Sequence, residues 1–270
     1  MFNIVTLTSP DTEQETAYGA PPVARAFTLL RHIAAGNRCR NISHAAKATG
    51  INRTTLIRLL ATLEDEKMIE AIPDDGGYRL GTGLITLAAE ALHGRAIAQV
   101  ALPFLAELVR ELHLSAHLGI LEGREIVYLA RVTPNSHLAS NVREGTRLPA
   151  HATTIGRVLL ADLPVAEVRA RYAGIPLEAY SERTRTTLAD LEAQLAEDRT
   201  LGIAWSMANF EPEIGSAAAL VRDHRGQAAG AVNVTGHASV FAPESPRLAE
   251  IEAALAKAAR GISEALGYRE

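Results

Sequence analysis

The chain has a single cysteine, Cys39, so no intrachain disulfide can form and a reducing, cytoplasmic setting is expected. It has no uninterrupted apolar run near the roughly 20 residues that a membrane helix needs. Its start, MFNIVTLTSPDTEQETAYGA, lacks the basic region and apolar core of an export signal, so no membrane partner is expected. Positive charge is not in excess either, the formal net charge being −4. That balance does not exclude a nucleic-acid partner, because an acidic domain can mask a basic one. Residues 21–80 hold nine Lys or Arg against six Asp or Glu, a balance of +3, and the rest of the chain carries −7. Apolar material is plentiful: 47% of the 270 residues are hydrophobic, enough to exclude wholesale disorder and to build two separate cores.

A reaction centre is also missing. Ile214-Gly215-Ser216-Ala217-Ala218 lacks the second glycine and the following helix of a nucleophile elbow. His113 and His117 are four apart, as zinc ligands on one helix would be. One ends a predicted helix and the other opens a predicted strand, however, so both read as structural histidines. Glu211 and Glu213 read as solvated loop carboxylates, and Gly81-Thr82-Gly83 lacks the strand-to-helix setting of a dinucleotide loop. No catalytic residue, metal or cofactor is expected.

What is present is organised around Ile42 to Leu63, ISHAAKATGINRTTLIRLLATL. It reads as two short helices joined at Gly50, with Ala46 as the small residue of the crossing and Leu56, Leu59, Leu60 and Leu63 as the inner face of the second helix. Asn52 is placed to cap that helix, whose outer face carries Arg53, Thr54, Thr55 and Arg58. Any helical hairpin with a cationic outer face is the alternative.

The flanks argue against that alternative. Residues 1–20 read as a polar, poorly ordered tail. Pro21 and Pro22 then introduce a helix whose stripe is Val23, Ala26, Phe27, Leu30 and Ile33, stopped by Gly36. After the hairpin, two short extended runs, 67–72 and 78–80, flank Pro73-Asp74-Asp75-Gly76-Gly77 and predict a β-hairpin wing. Arg79 is the expected phosphate contact there, and Arg25 another, with α-helical residues Arg53, Thr54, Thr55 and Arg58 reaching into the major groove from Asn52 onward.

PVARAFTLLRHIA, GINRTTLIRLLATLEDEKMIE and GGYRLGTGLITLA resemble the DNA-binding half of the IclR family of bacterial transcriptional regulators. GTRLPAHATTIGRVLLADLP resembles that family's effector-domain signature, and the likeness runs from Pro21 to Leu266. The resemblance implies an α+β chain. A winged helix-turn-helix at 21–82 is joined by a linker helix at 83–96 to an α/β effector-binding domain at 97–270, related to GAF and PAS modules. It also implies a double-stranded DNA operator, a small organic acid effector, control of catabolic genes, and a homodimer or dimer of dimers. The stripe Leu84, Leu87, Ala88, Ala91 and Leu92 fits a linker that meets a second subunit, and equally a helix packed on its own domain.

From Ile97 an amphipathic helix leads to strands at 116–121, 126–132 and 137–142. Helices follow at 153–163, 164–172 and 187–202, then strands at 203–206, 217–223 and 227–236, and a closing helix at 246–267. Thr153, Thr154, Ile155 and Gly156 open a helix, whose free N–H groups suit a carboxylate. Asn233 and Thr235 alternate on one strand and share a side of the sheet, facing either a ligand or solvent. By resemblance, Leu148, Thr154, Ile155, Ser206, Ser216, Asn233 and Thr235 line the effector pocket. Relatives often carry an acid at the position of Ser206, cysteine at Ser216, and serines at Asn233 and Thr235. The departures imply a ligand other than a glyoxylate-type acid, with a carbonyl or hydroxyl for Asn233 to read. Trp205 and Tyr128 could form an aromatic wall. An enzyme acting on a small acid is the alternative function, opposed by the missing reaction centre. A sensor without DNA binding is another, opposed by the cationic helix face.

Overall fold

The computed structural model describes residues 19–73, 76–93, 96–135 and 142–269. The tail expected at 1–20 (Gly19 and Ala20 apart), the wing tip Asp74–Asp75, and all but Val142 of the strand expected at 137–142 lie outside the described residues. The chain divides into two compact units, Met1–Ala91 and Leu92–Glu270. No helix among the described residues is long and apolar enough to cross a membrane.

In the first unit, α1 (Pro21–Ala34), α2 (Ile42–Thr49) and α3 (Arg53–Asp65) precede β1 (Ile69–Ala71) and β2 (Tyr78–Leu80), an antiparallel pair, and then α4 (Thr82–His93). Local chemistry sets the boundaries. Asn41 caps α2 through the His44 N–H at 3.0 Å, and Asn52 caps α3 through the Thr55 N–H at 2.8 Å. Between them Gly50 takes φ +69°, the left-handed turn that glycine adopts without steric cost. Leu56, Leu60 and Leu63 are buried with Leu29, Ile33, Ala45, Ile51 and Ile69, and Leu59 packs at the rim.

Two details differ from the sequence reading. The small residue fully buried on α2 is Ala45, with Ala46 only partly covered. On α1, Val23 and Phe27 are 54% and 53% exposed, whereas Leu29, absent from the expected stripe, is completely buried. The apolar arc of this helix is wider than the surface that covers it, so periodicity finds the arc and misplaces its centre.

The second unit is a six-stranded antiparallel sheet in the order β5-β4-β3-β8-β7-β6. Its strands are β3 (Ser115–Glu122), β4 (Glu125–Val132), β5 (Arg147–Pro149), β6 (Ile203–Met207), β7 (Ile214–Arg222) and β8 (Ala228–His237). Helices α5 (Ala96–Leu112) and α9 (Leu248–Ala265) pack on one face, burying Leu105, Leu108, Ile251 and Leu255 against Leu118, Val232 and Val234. On the other lie α6 (Thr154–Asp162), α7 (Val165–Tyr172) and α8 (Leu188–Leu201), with Ile155, Leu160 and Leu191 against Ile126, Ala218 and Ala231. Because both faces are covered, the central strands carry unbroken buried runs, at 115–119 of β3 and 230–234 of β8. Sequence reading missed β5, whose three residues are too few to show a period; Leu148 there stands opposite Ile126 on β4.

A buried ion pair fastens α6 to α8. Arg157 donates from Nε and Nη2 to the two carboxylate oxygens of Asp198 at 2.9 and 2.7 Å, and from Nη2 to the Trp205 carbonyl at 2.9 Å. Both side chains are 1% exposed. Two forked bonds in a dry interior hold the first turns of α6 at a set height above the sheet.

Candidate functional site

In the first unit the expected contact residues sit on one helix with different freedom. Thr54 and Arg58 are exposed on the side of α3 opposite Leu56, Leu60 and Leu63. Arg53 is exposed as well, but leans back to donate to the Ser43 hydroxyl of α2 at 3.2 Å. Asn52 is exposed and has committed its side-chain oxygen to the cap, and Thr55 is half-buried. Arg25 is exposed on α1. Arg79 is paired across the wing with Glu70, its register partner, at 2.8 Å. Both are exposed, so this pair is weak and easily exchanged for a phosphate.

In the second unit the sheet register assembles residues that are far apart in sequence. Ser206 on β6 is opposite Ser216 on β7, Ser216 is opposite Thr235 on β8, and Thr235 is opposite Ser115 on β3. These four hydroxyls form one row across the sheet, on the side facing α6. The next row in that direction holds Ala218, Asn233 and His117. Asn233 donates from Nδ2 to the Thr235 hydroxyl at 3.2 Å, and its Oδ1 lies 2.9 Å from Nδ1 of His117.

Helix α6 starts directly above this row. The Thr154 and Ser216 hydroxyls are 3.0 Å apart. Thr153 caps the helix by accepting the Gly156 N–H at 3.3 Å, and the Arg157 N–H goes to the Thr153 carbonyl. The N–H groups of Thr154 and Ile155 therefore have no protein acceptor among the described residues. Gly156 is required at this point, since a Cβ there would sit 2.2 Å from the Ala150 carbonyl oxygen. The side chain of Ile155 is completely buried, against Gly119 of β3.

Of the seven expected pocket residues, the fold thus brings Thr154, Ile155, Ser206, Ser216, Asn233 and Thr235 to one place. Ser206 is turned partly aside, accepting the Asn209 N–H at 3.3 Å. Leu148 lies at the β5 edge and packs on the same core. The expected aromatic wall does not form as a pair. Tyr128 belongs to the α6 side, whereas Trp205, one residue out of phase with Ser206, packs toward α5 and α9.

Sequence reading passed over His117 as a plain structural histidine. It is 1% exposed, meets the ring of Tyr128 edge-on at 5.4 Å, and its Nε2 has no hydrogen-bond partner. Burial lowers its pKa from 6.5 to about 4, against the smaller opposing effect of the Asn233 bond, so the ring is neutral at physiological pH. The signal available in the sequence was only its place on a strand that alternates; its pairing with Asn233, 116 residues away, comes from the sheet. Also unforeseen were the ring contacts of Tyr180 with His151 at 6.0 Å and with Phe210 at 4.9 Å. The two loops carrying Tyr180 and Phe210 are stitched together where Ser181 and Thr184 donate to the carbonyls of Ala208 and Asn209, each at 2.6 Å. No group of three His, Cys, Asp or Glu among the described residues is placed to hold a metal ion.

A capped recognition helix with a wing, followed by a helix-covered sheet that gathers polar side chains under the start of α6, defines a DNA-binding protein with a ligand-binding module. Family models agree on both halves: the IclR helix-turn-helix domain matches residues 22–73, and the bacterial transcriptional regulator IclR C-terminal domain matches residues 89–264. The chain belongs to the IclR family of bacterial transcriptional regulators. It is 33% identical over 227 residues to the regulator XynR of Escherichia coli, covering 84% of this chain and 89% of that protein. A transcriptional regulator from Rhodococcus sp. RHA1 has the same fold, with a TM-score of 0.81 and 31% identity, over 92% of this chain and 98% of that one. An IclR homologue from Microbacterium hydrocarbonoxydans, crystallised with 4-hydroxybenzoate, superposes with a TM-score of 0.78 over 91% of this chain and 98% of its own. At 23% identity that likeness shows the fold alone.

Proposed function

We propose that this regulator senses a small organic acid, aromatic acids included, in the niche at the start of α6, and thereby controls catabolic genes. The observation that carries this reading is the pair of unclaimed N–H groups at Thr154 and Ile155, beside Ser216, Asn233 and Thr235. A helix N-terminus holds negative charge with about 0.3–1 kcal/mol at an exposed site and more in a buried one. Neutral side chains around it then read the remainder of the ligand, with Leu148 and Ser206 at the margins.

Arg53, Thr54, Thr55 and Arg58 reach the major groove from α3, with the Asn52 amide at its start, while Arg25 and Arg79 hold the backbone. Two copies bind together as a dimer or dimer of dimers, through α4. Ile85 and Leu87 on that helix are 69% and 56% exposed in the single chain, which is the surface a second subunit would cover. The operator is then a pseudo-palindrome with half-sites about one helical turn apart, or a multiple of it.

The test is DNA binding by the full chain to operator selected from random sequence, with and without a panel of carboxylates headed by 4-hydroxybenzoate. An acid that shifts operator affinity in the wild type, and no longer does so in Thr235→Val, supports the niche. Operator binding untouched by the double change Arg53→Ala, Arg58→Ala removes the assignment of α3.

A further inference from the structure

We propose that His117 is a binding residue of the effector niche. Its unpaired Nε2 accepts a hydrogen bond from a hydroxyl of the ligand, which makes the effector a hydroxylated small acid. The inference rests on the reading of the niche given above and adds to it the chemistry at the far end of the ligand.

The amide of Asn233 sets the argument. Its Nδ2 donates to the Thr235 hydroxyl at 3.2 Å, which turns its Oδ1 toward Nδ1 of His117 at 2.9 Å. An oxygen acceptor facing Nδ1 requires Nδ1 to carry the proton. The ring is neutral, since burial among Tyr128 and the α6-side core disfavours the imidazolium. Nε2 is therefore a lone-pair acceptor, and it is buried without a donor. Buried acceptors are paired in nearly all native structures, and an isolated one costs free energy that a partner recovers.

His117 lies on the same side of the sheet as Ser216, Asn233 and Thr235, in the row next to the hydroxyls. The niche thus has two ends of opposite character. At α6 two N–H donors await an acceptor, and at β3 one nitrogen acceptor awaits a donor. A plain monocarboxylate satisfies the first end and leaves the second unpaired. A hydroxy acid satisfies both, and the neutral ring places no charge against it. Sites that hydrogen-bond a substrate hydroxyl discriminate strongly against the analogue without it, because the buried partner is then left alone.

The experiment is calorimetry of the full-length protein with matched acids, 4-hydroxybenzoate against benzoate and 3-hydroxybutyrate against butyrate. In at least one pair the hydroxylated member should bind tighter by about tenfold or more. His117→Asn keeps an amide donor where Nδ1 stands and deletes the far nitrogen, so it should bring that ratio close to one. In nitrogen-15 spectra of the wild type, the Nε2 resonance of His117 should move on adding the hydroxylated acid and stay in place with its partner. The spectra and the wild-type ratio decide the matter even if His117→Asn does not fold. Equal affinity in every pair, failure of every hydroxylated acid to bind, or a ratio unchanged by His117→Asn overturns the proposal. Thr235→Val separates the two levels of inference. If it weakens both members of a pair while their ratio in the wild type is one, the niche stands and the role of His117 falls. If it leaves both at wild-type affinity, the niche itself is wrong.

Discussion

On β8, Val232 and Val234 face α5 and α9, whereas Asn233 and Thr235, alternating with them, face α6. The same contrast runs through the whole sheet. Toward α5 and α9 it presents Ala116, Leu118, Ala217, Ala219 and Val221, all apolar and all buried. Toward α6 it presents Ser115, His117, Ser206, Ser216, Asn233 and Thr235, set among Ile126, Tyr128 and Ala218. One face closes a core by area alone, at roughly 25 cal/mol per Å² of apolar surface. The other holds hydrogen-bonding groups, among them the unpaired Nε2 of His117, and it sits beneath a helix end with two unclaimed N–H groups. Stability and recognition are divided between two sides of one sheet.

The largest effect is expected where the polar side holds a charge. Asp198→Ala leaves Arg157 buried with only the Trp205 carbonyl among its former partners, and should lower unfolding free energy by about 3–5 kcal/mol in urea titration. A loss below 1 kcal/mol would mean that water reaches the guanidinium. On the apolar side, Leu118→Ala removes a completely buried side chain and should cost about 2–5 kcal/mol. Its ligand preference should match the wild type, since Leu118 points away from the niche. A changed preference would erase the contrast between the faces.

The two faces should also part in their response to acid. The His117 ring titrates near 4 in the folded chain and near 6.5 when unfolded. As pH falls below 6.5 the unfolded chain takes up this proton first, so the stability tied to the neutral ring is present above 6.5. It is lost as the pH drops to about 4, at no more than about 1.4 kcal/mol per pH unit. Unfolding of the wild type and His117→Phe at pH 6.5 and 4.5 isolates this contribution: the difference between the two proteins should change, and a constant difference counts against a neutral buried ring. The smallest change concerns binding. Asn233→Ala should weaken the effector by about 1–3 kcal/mol, measured by calorimetry, while DNA binding without ligand persists, because the residue lies in the second unit. Wild-type affinity in both Asn233→Ala and Thr235→Val would place the ligand elsewhere.

Much of this was legible in the residues themselves. Asn52, Gly50 and the Leu56, Leu60, Leu63 spacing act within a few residues of one another, and capping, the left-handed turn and helical period are local physics. The helix start at Thr153 and the shared face of Asn233 and Thr235 are local for the same reason. Non-local facts were out of reach. Which part of the wide apolar arc on α1 is covered depends on what packs there, which buried Leu29 and left Phe27 exposed. Trp205 fell on the wrong side of the sheet because a one-residue phase decides the face. The union of Arg157 with Asp198, of Thr154 with Ser216, and of Asn233 with His117 spans 41, 62 and 116 residues. Sequence alone determined most of the elements, β5 excepted, the caps of α2, α3 and α6, and the family. Only the tertiary structure decided which polar side chains would meet in the dry interior, and that one nitrogen of His117 would be left there without a partner, because strand register and helix docking are properties of the whole sheet.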